Sequence, residues 1–220
     1  MRRLRRNARF FLAVQALFAE ERLDALAVRE WPELPNLTGH WPYLAIARLL
    51  DQGVPVACEG DVDGAVLSYV GQLLGLGTGF LSDWLAHDRH TITLWHGGCA
   101  PLGLCASPGT PDGPRIARHF NSDKPAVVDA VLPPDRAMTL CRLWRCDGVY
   151  RLMAAEAATV RPERRLAGTT AVVRLEDLDV PEWFERLCHA GMPHHVLVFP
   201  GRCADLVRRF ARLMDIACFT

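Results

Sequence analysis

The chain has no net charge, no C-x-x-C pair, no internal repeat and no apolar run long enough to cross a bilayer. Its 25 lysines and arginines are balanced by 25 aspartates and glutamates. No global field therefore draws in nucleic acid or an anionic membrane surface. The apolar stretches fall short of the roughly 20 residues that a membrane span requires. Eight cysteines (Cys58, Cys99, Cys105, Cys141, Cys146, Cys188, Cys203 and Cys218) are scattered without framework spacing. Scattered thiols fit a reducing compartment, the cytoplasm, better than a disulfide scaffold. His96-Gly-Gly-Cys99 has the form of half a zinc site, but no second half at ligand spacing accompanies it, so no structural zinc is expected. What is present is a 220-residue chain that is 50% hydrophobic, enough to bury a sizeable core in one large domain or two small ones.

At the amino terminus, Arg2, Arg3, Arg5, Arg6 and Arg9 precede Phe10–Ala19 and imitate a secretory signal, but Gln15 interrupts the run and Glu20, Glu21 and Arg22 follow at once. Phe11, Val14, Leu17 and Phe18 recur at helical spacing, which predicts an amphipathic helix over 8–21. Helical patterns at 41–52 and 63–74 then alternate with strand-like segments at 24–28, 54–58 and 91–95. Alternation of this kind predicts an α/β fold with a mostly parallel sheet and flanking helices. Residues 100–125 are rich in Pro, Gly and Ser and read as a long crossing loop. Short segments without helical period follow at 126–132, 138–144, 149–155 and 169–175, with Asp147-Gly148 as a hairpin signal, so a small antiparallel barrel-like section is expected here. Helix 182–190, strand 195–199, helix 204–214 and strand 216–219 restore the alternation. The expected organisation is a metal- and substrate-binding α/β layer over 1–103, the crossing loop and antiparallel section over 104–180, and a return to the α/β layer over 181–220.

Ligand-type side chains concentrate at predicted element ends. Glu59 and Asp61 stand two positions apart after the apolar run Val54–Ala57, on one face of an extended chain, aimed at the crevice where open α/β sheets bind ligands. Two carboxylates there suit acid/base chemistry or a hard cation; alternatively Asp61 or Asp63 caps the following helix while Glu59 is solvated. The other concentrations are Trp31-Pro32-Glu33, Trp95-His96-Gly97-Gly98 and Pro193-His194-His195. Each has an ordinary alternative: Glu33 as an exposed loop acid, His96 as a core histidine bonded to backbone, His194-His195 as a polar strand start.

Taken in order, Trp31-Pro32-Glu33, Leu49-Leu50-Asp51-Gln52-Gly53-Val54-Pro55, Ala57-Cys58-Glu59-Gly60-Asp61-Val62, Leu94-Trp95-His96-Gly97-Gly98-Cys99-Ala100-Pro101 and Pro193-His194-His195-Val196 resemble the carboxy-terminal half of the fucose isomerase and arabinose isomerase superfamily. The resemblance implies a metal-dependent enzyme that interconverts aldoses and ketoses by moving a proton between C1 and C2 through an enediol, at a site for Mn²⁺ or another hard divalent cation. It implies Glu33 and Asp61 as catalytic groups, Glu33, Glu59, Asp61 and His195 as metal ligands, and Trp95, His96 and His194 as substrate contacts, with His119 a weaker candidate. Which acid of the Glu-Gly-Asp motif is the ligand stays open. Adjacent strand residues point to opposite faces, so only one of His194 and His195 is expected to reach the site. Family members run to about twice this length and assemble as homo-oligomers, so an absent amino-terminal half or further copies are expected to complete the site around a small sugar. The alternative is a non-catalytic carbohydrate-binding or regulatory module derived from such an isomerase.

Overall fold

Strand-to-strand pairing, rather than helix–strand alternation, organises the chain. A computed structural model describes residues 2–220. Its helices are α1 (Arg2–Glu21), α2 (Glu33–Thr38), α3 (Tyr43–Asp51), α4 (Val62–Leu73), α5 (Val180–His189) and α6 (Ala204–Leu213). The strands are β1 (Leu26–Ala27), β2 (Val56–Ala57), β3 (Phe80–His87), β4 (Thr91–His96), β5 (Arg115–Arg118), β6 (Pro125–Val131), β7 (Ala137–Cys146), β8 (Val149–Val160), β9 (Thr169–Arg174), β10 (His195–Pro200) and β11 (Ala217–Phe219).

Nine strands form one sheet in the order β11-β8-β7-β10-β3-β4-β9-β6-β5, and a further pairing joins β8 to β9. That extra pairing closes β8, β7, β10, β3, β4 and β9 into a six-stranded barrel in which every neighbour is antiparallel. Closure removes the exposed edges that an open sheet would present. The α/β class with flanking helices is as expected, but the mostly parallel sheet is not. Parallel pairing is confined to β1–β2, β6–β9 and β11–β8. The reason is local: β3 leads into β4 through a short turn with no intervening helix, and a connection that short permits only an antiparallel partner. Strands from all three expected segments, 1–103, 104–180 and 181–220, enter this sheet.

The β7–β8 hairpin turns at Asp147-Gly148, where both residues have positive φ (+53° and +79°), the geometry that Asp-Gly supplies in a two-residue hairpin loop. α4 lies against β7, β10 and β2, burying Ala65, Leu67, Ser68 and Gly71. Gly71 lets the helix close on the sheet, since a Cβ there would strike the Phe199 ring and come 2.7 Å from the Gly77 carbonyl oxygen. α1 covers α3, which in turn packs on β6. Trp41, Trp144, Trp183, Phe80 and Phe199 are fully buried in one continuous core. Among the described residues no helix is long and apolar enough to cross a membrane.

Candidate active site

Barrel and helical layer meet where β2 ends, α4 begins and β10, β3 and β4 run side by side. His195 of β10 stands opposite Asp83 of β3, and Asp83 opposite Trp95 of β4. Directly opposed residues share a face of the sheet, so the pairing register alone brings an imidazole, a carboxylate and an indole into a row. The turn after β2 adds Glu59 and Asp61. Glu59 holds φ at +59°, a costly conformation for a non-glycine residue, and its backbone N–H is fixed by donation to Glu30 Oε2 at 2.8 Å.

Asp61 is held from three sides. It caps α4, accepting from the Gly64 amide at 2.8 Å, and it accepts from His195 Nδ1 at 2.9 Å. Arg142 of β7 grips both of its oxygens, Nη1 to Oδ2 at 2.5 Å and Nη2 to Oδ1 at 3.1 Å. Burial by itself would raise the Asp61 carboxyl, but the bonds from His195 and Arg142 prevail and hold it well below the ordinary carboxylate range. With Nδ1 committed to Asp61, His195 turns Nε2 toward Asp83 Oδ1 at 3.3 Å and Glu59 Oε2 at 3.5 Å. Burial opposes charge on this ring too, yet the three carboxylates outweigh it and push its pKa up to about 11.

His96 completes the group. One donor atom each from Asp83, His96 and His195 lies within 4.8 Å of the others. Nδ1 of His96 approaches Cys99 Sγ at 3.4 Å, while Nε2 of His96 and Nε2 of His195 are buried with no well-aligned hydrogen-bond partner. Two buried imidazole nitrogens without partners are a cost unless something else takes them.

A cavity of about 200 Å³ opens in front of the cluster, lined by Trp31, Trp41, Tyr43, Glu59, Asp83, Trp95, His96, Gly97, His119, Phe120 and Asn121. Its wall is a run of contacting rings: Trp31 stacked on Trp41 at 5.4 Å, Trp41 stacked on His119 at 3.8 Å, His119 tilted against Phe120 at 4.6 Å and Phe120 edge-on to Trp95 at 5.0 Å. Behind that wall the Tyr43 hydroxyl donates to Glu30 at 3.1 Å. Glu30 is fully buried, and burial pushes its pKa up to about 7. A larger hollow between α1 and α2, lined by Arg6, Phe10, Leu37 and Trp41 among others, contains no carboxylate.

Of the residues expected at the site, Glu59, Asp61, His96, His195 and Trp95 come together here. His194 is solvent-exposed but leans on the same Asp83, 3.4 Å away, so its neighbour His195 is the one that is buried. Glu33 does not join them. It opens α2, about half exposed, and pairs with the exposed Arg29 at 2.7 Å, whereas Glu30 lies before the Trp31-Pro32 turn and is the acid that faces inward. Asp83, Glu30 and Arg142 were not anticipated. Asp83 lies in a strand without two-residue alternation, and Arg142 is a buried cation with no local signal of its partner 81 residues away.

No family model matches the chain. Among curated proteins it is similar to sulfoquinovose isomerase of Priestia aryabhattai, 28% identical over 214 residues, 95% of this chain and 46% of that protein. The enzyme of the same name from Clostridium sp. (strain MSTE9) is 29% identical over 198 residues (88% and 43%), and that of Alkalicoccus urumqiensis 27% over 217 residues (97% and 48%). The chain thus spans about half the length of the curated relatives it matches. These relatives fit a sugar isomerase superfamily, without singling out fucose or arabinose isomerases within it.

Proposed function

We propose that the chain carries the proton-transfer and cation-binding side chains of an aldose–ketose isomerase, and that it works on a sulfonated hexose of the kind its relatives are named for. The observation that supports this best is that Glu59, Asp83 and His96 line one aromatic-walled cavity, with His195 grouped behind Asp83 and His96. Isomerisation needs a base beside C1 and C2, something to steady the enediolate oxygens, and exclusion of water. The exposed rings Trp31 and Phe120, backed by Trp41 and His119, suit the apolar face of a pyranose or an extended sugar.

The residues fit a divalent cation. Nε2 of His96 has no hydrogen-bond partner, Nε2 of His195 has only long, poorly aligned contacts, and carboxylates on β3 and the β2–α4 turn stand beside them. We assign His195, His96, Asp83 and Glu59 to holding it, a mixed nitrogen and oxygen set suited to Mn²⁺ or a similar ion. A cation held there would supply Lewis-acid stabilisation of the negative charge that develops on the enediolate. Asp61 and Arg142 act one layer back: Asp61 fixes the His195 tautomer through Nδ1, and Arg142 keeps Asp61 ionised and in place. Glu59, held below the ordinary carboxylate range mainly by its bond with His195, is an anion at neutral pH and is our candidate base. Glu30 is placed to buffer a proton through Tyr43. Glu33 has no part in this scheme.

The rim rings Trp31 and Phe120 remain 45% and 56% exposed, and we infer that further copies of the chain, or the remaining length seen in the relatives, cover them. The free thiols are in keeping with a reducing cytoplasm. Because the chain spans about half of its relatives, the test reads enediol formation rather than net turnover. Sulfoquinovose incubated in D₂O with the chain and Mn²⁺ should gain deuterium at C1 or C2, and His195→Asn should lose that exchange. Saturable sugar binding without exchange would favour the non-catalytic carbohydrate module, and neither binding nor exchange would overturn the proposal.

A further inference from the structure

The isomerase scheme leaves unused two buried sulfurs that stand beside His96. Cys58 follows β2, while His96 ends β4 and leads through Gly97-Gly98 to Cys99. Gly98 has φ +115°, and a Cβ there would come 2.7 Å from the Val128 carbonyl oxygen, so this tight return is open only to glycine. The return folds Cys99 Sγ back to 3.4 Å from His96 Nδ1. Cys58 arrives from the other side, and one donor atom each of Cys58, His96 and Cys99 lies within 4.8 Å of the others. All three side chains are buried, and both cysteines are free thiols. The His96-Gly-Gly-Cys99 half-site visible in the sequence therefore acquires its third member from a segment 38 residues earlier than His96, a spacing that no linear zinc pattern contains.

We propose that Cys58, Cys99 and His96 form a second cation site, for a thiophilic ion such as Zn²⁺ or Cd²⁺, in the core directly behind the cavity. The donor chemistry separates the two sites. Two sulfurs and one nitrogen select a soft or borderline ion, whereas the carboxylate-rich cavity set suits a harder one. Charge balance also favours the buried location. A divalent ion with two thiolates and a neutral imidazole carries no net charge, so the complex avoids the cost of an uncompensated ion in the core. Uptake releases two protons to solvent, one from each thiol, and leaves the fourth tetrahedral position open. A neutral imidazole has a single lone pair, so His96 serves one ion at a time and the two sites compete for it. The site stands whether or not the chain is an isomerase.

The test uses the full chain, reduced and freed of chelators, titrated with Cd²⁺ alone. Thiolate-to-cadmium charge-transfer absorption should saturate at one equivalent. The first equivalent should lose that band in the Cys58→Ser/Cys99→Ser double variant and keep it in Cys188→Ser, which alters an exposed thiol. X-ray absorption at the cadmium edge on the unaltered chain at one equivalent should show two sulfur neighbours, a readout that does not depend on the variants folding. A band that survives in a folded double variant, or only nitrogen and oxygen neighbours around the first equivalent, would overturn the proposal.

Discussion

Arg142→Met probes the network that aims His195. The Arg142 and Asp61 side chains are only 5% and 8% exposed and are joined through both guanidinium nitrogens. Methionine retains an unbranched chain that fills the space and deletes the charge. Breaking a buried pair by removing one partner leaves the other charge uncompensated and costs about 3–5 kcal/mol. Here His195 and the Gly64 amide still hold the carboxylate, which places the expected loss near the lower figure. Against a typical total of about 5–15 kcal/mol the variant should still fold. With a urea slope of about 3 kcal/mol per molar, a loss of about 3 kcal/mol lowers the unfolding midpoint by about 1 M. Asp61→Asn strands the buried Arg142 cation instead, and the double variant should cost less than the sum of the singles by about 1–3 kcal/mol. A midpoint shift below about 0.2 M at unchanged slope, or additive single variants, would refute the idea that this pair is what braces His195.

Four further variants test the same geometry. His195 has a folded pKa of about 11 against 6.5 for the free side chain, so in metal-free protein its stabilising effect is complete below pH 6.5 and fades as pH rises toward 11. His195→Gln should therefore lose more stability at pH 6 than at pH 10, and equal losses in urea titrations at the two pH values would count against the raised pKa. Glu33→Gln should change stability by less than about 1 kcal/mol, since it breaks only an exposed pair. Glu30→Ala strips acceptors from the Tyr43 hydroxyl and the Glu59 amide and should cost about 1–3 kcal/mol for each donor left dry; thermal melts that rank the two the other way would reverse the assignment of the inward-facing acid. Gly97→Ala places a Cβ 2.6 Å from the Tyr43 ring and 3.0 Å from His119 Nε2, so a loss of about 1–3 kcal/mol together with weaker sugar binding is expected by calorimetry.

The sequence announced most helices and many strands because their signals are local. The Asp147-Gly148 turn, the apolar spacing of α4 and the cap at Asp61 are each readable within a dozen residues. Strand direction is not, because it depends on what lies between strands, and residues 80–87, which carry no strand pattern, supply the hairpin that makes β4 antiparallel. β3 escaped notice because Phe80, Leu81 and Ser82 are all buried and Asp83 interrupts the run, leaving no two-residue alternation. That omission also hid Asp83 from the site. Glu30 and Glu33 illustrate a second limit: two acids three residues apart at a helix start are equivalent in composition, and only packing against Tyr43 and the Glu59 amide decides which turns inward. Arg142 is a third case, since its meaning lies in a partner from another segment.

β10 enters the sheet between β7 and β3, although it lies more than a hundred residues after β3 and about fifty after β7 in the chain. Until it docks, β3 and β7 each present an unpaired edge and the barrel is an open ribbon. Pairing across such separations is slow, because loop-closure entropy is lost before the contacts form. The same strand carries His195, so the step that seals those sticky edges is also the step that delivers the imidazole to Asp61 and Asp83. On the proposed assignment a half-folded chain is denied the ligand set, and loading with a cation would report whether the barrel has closed.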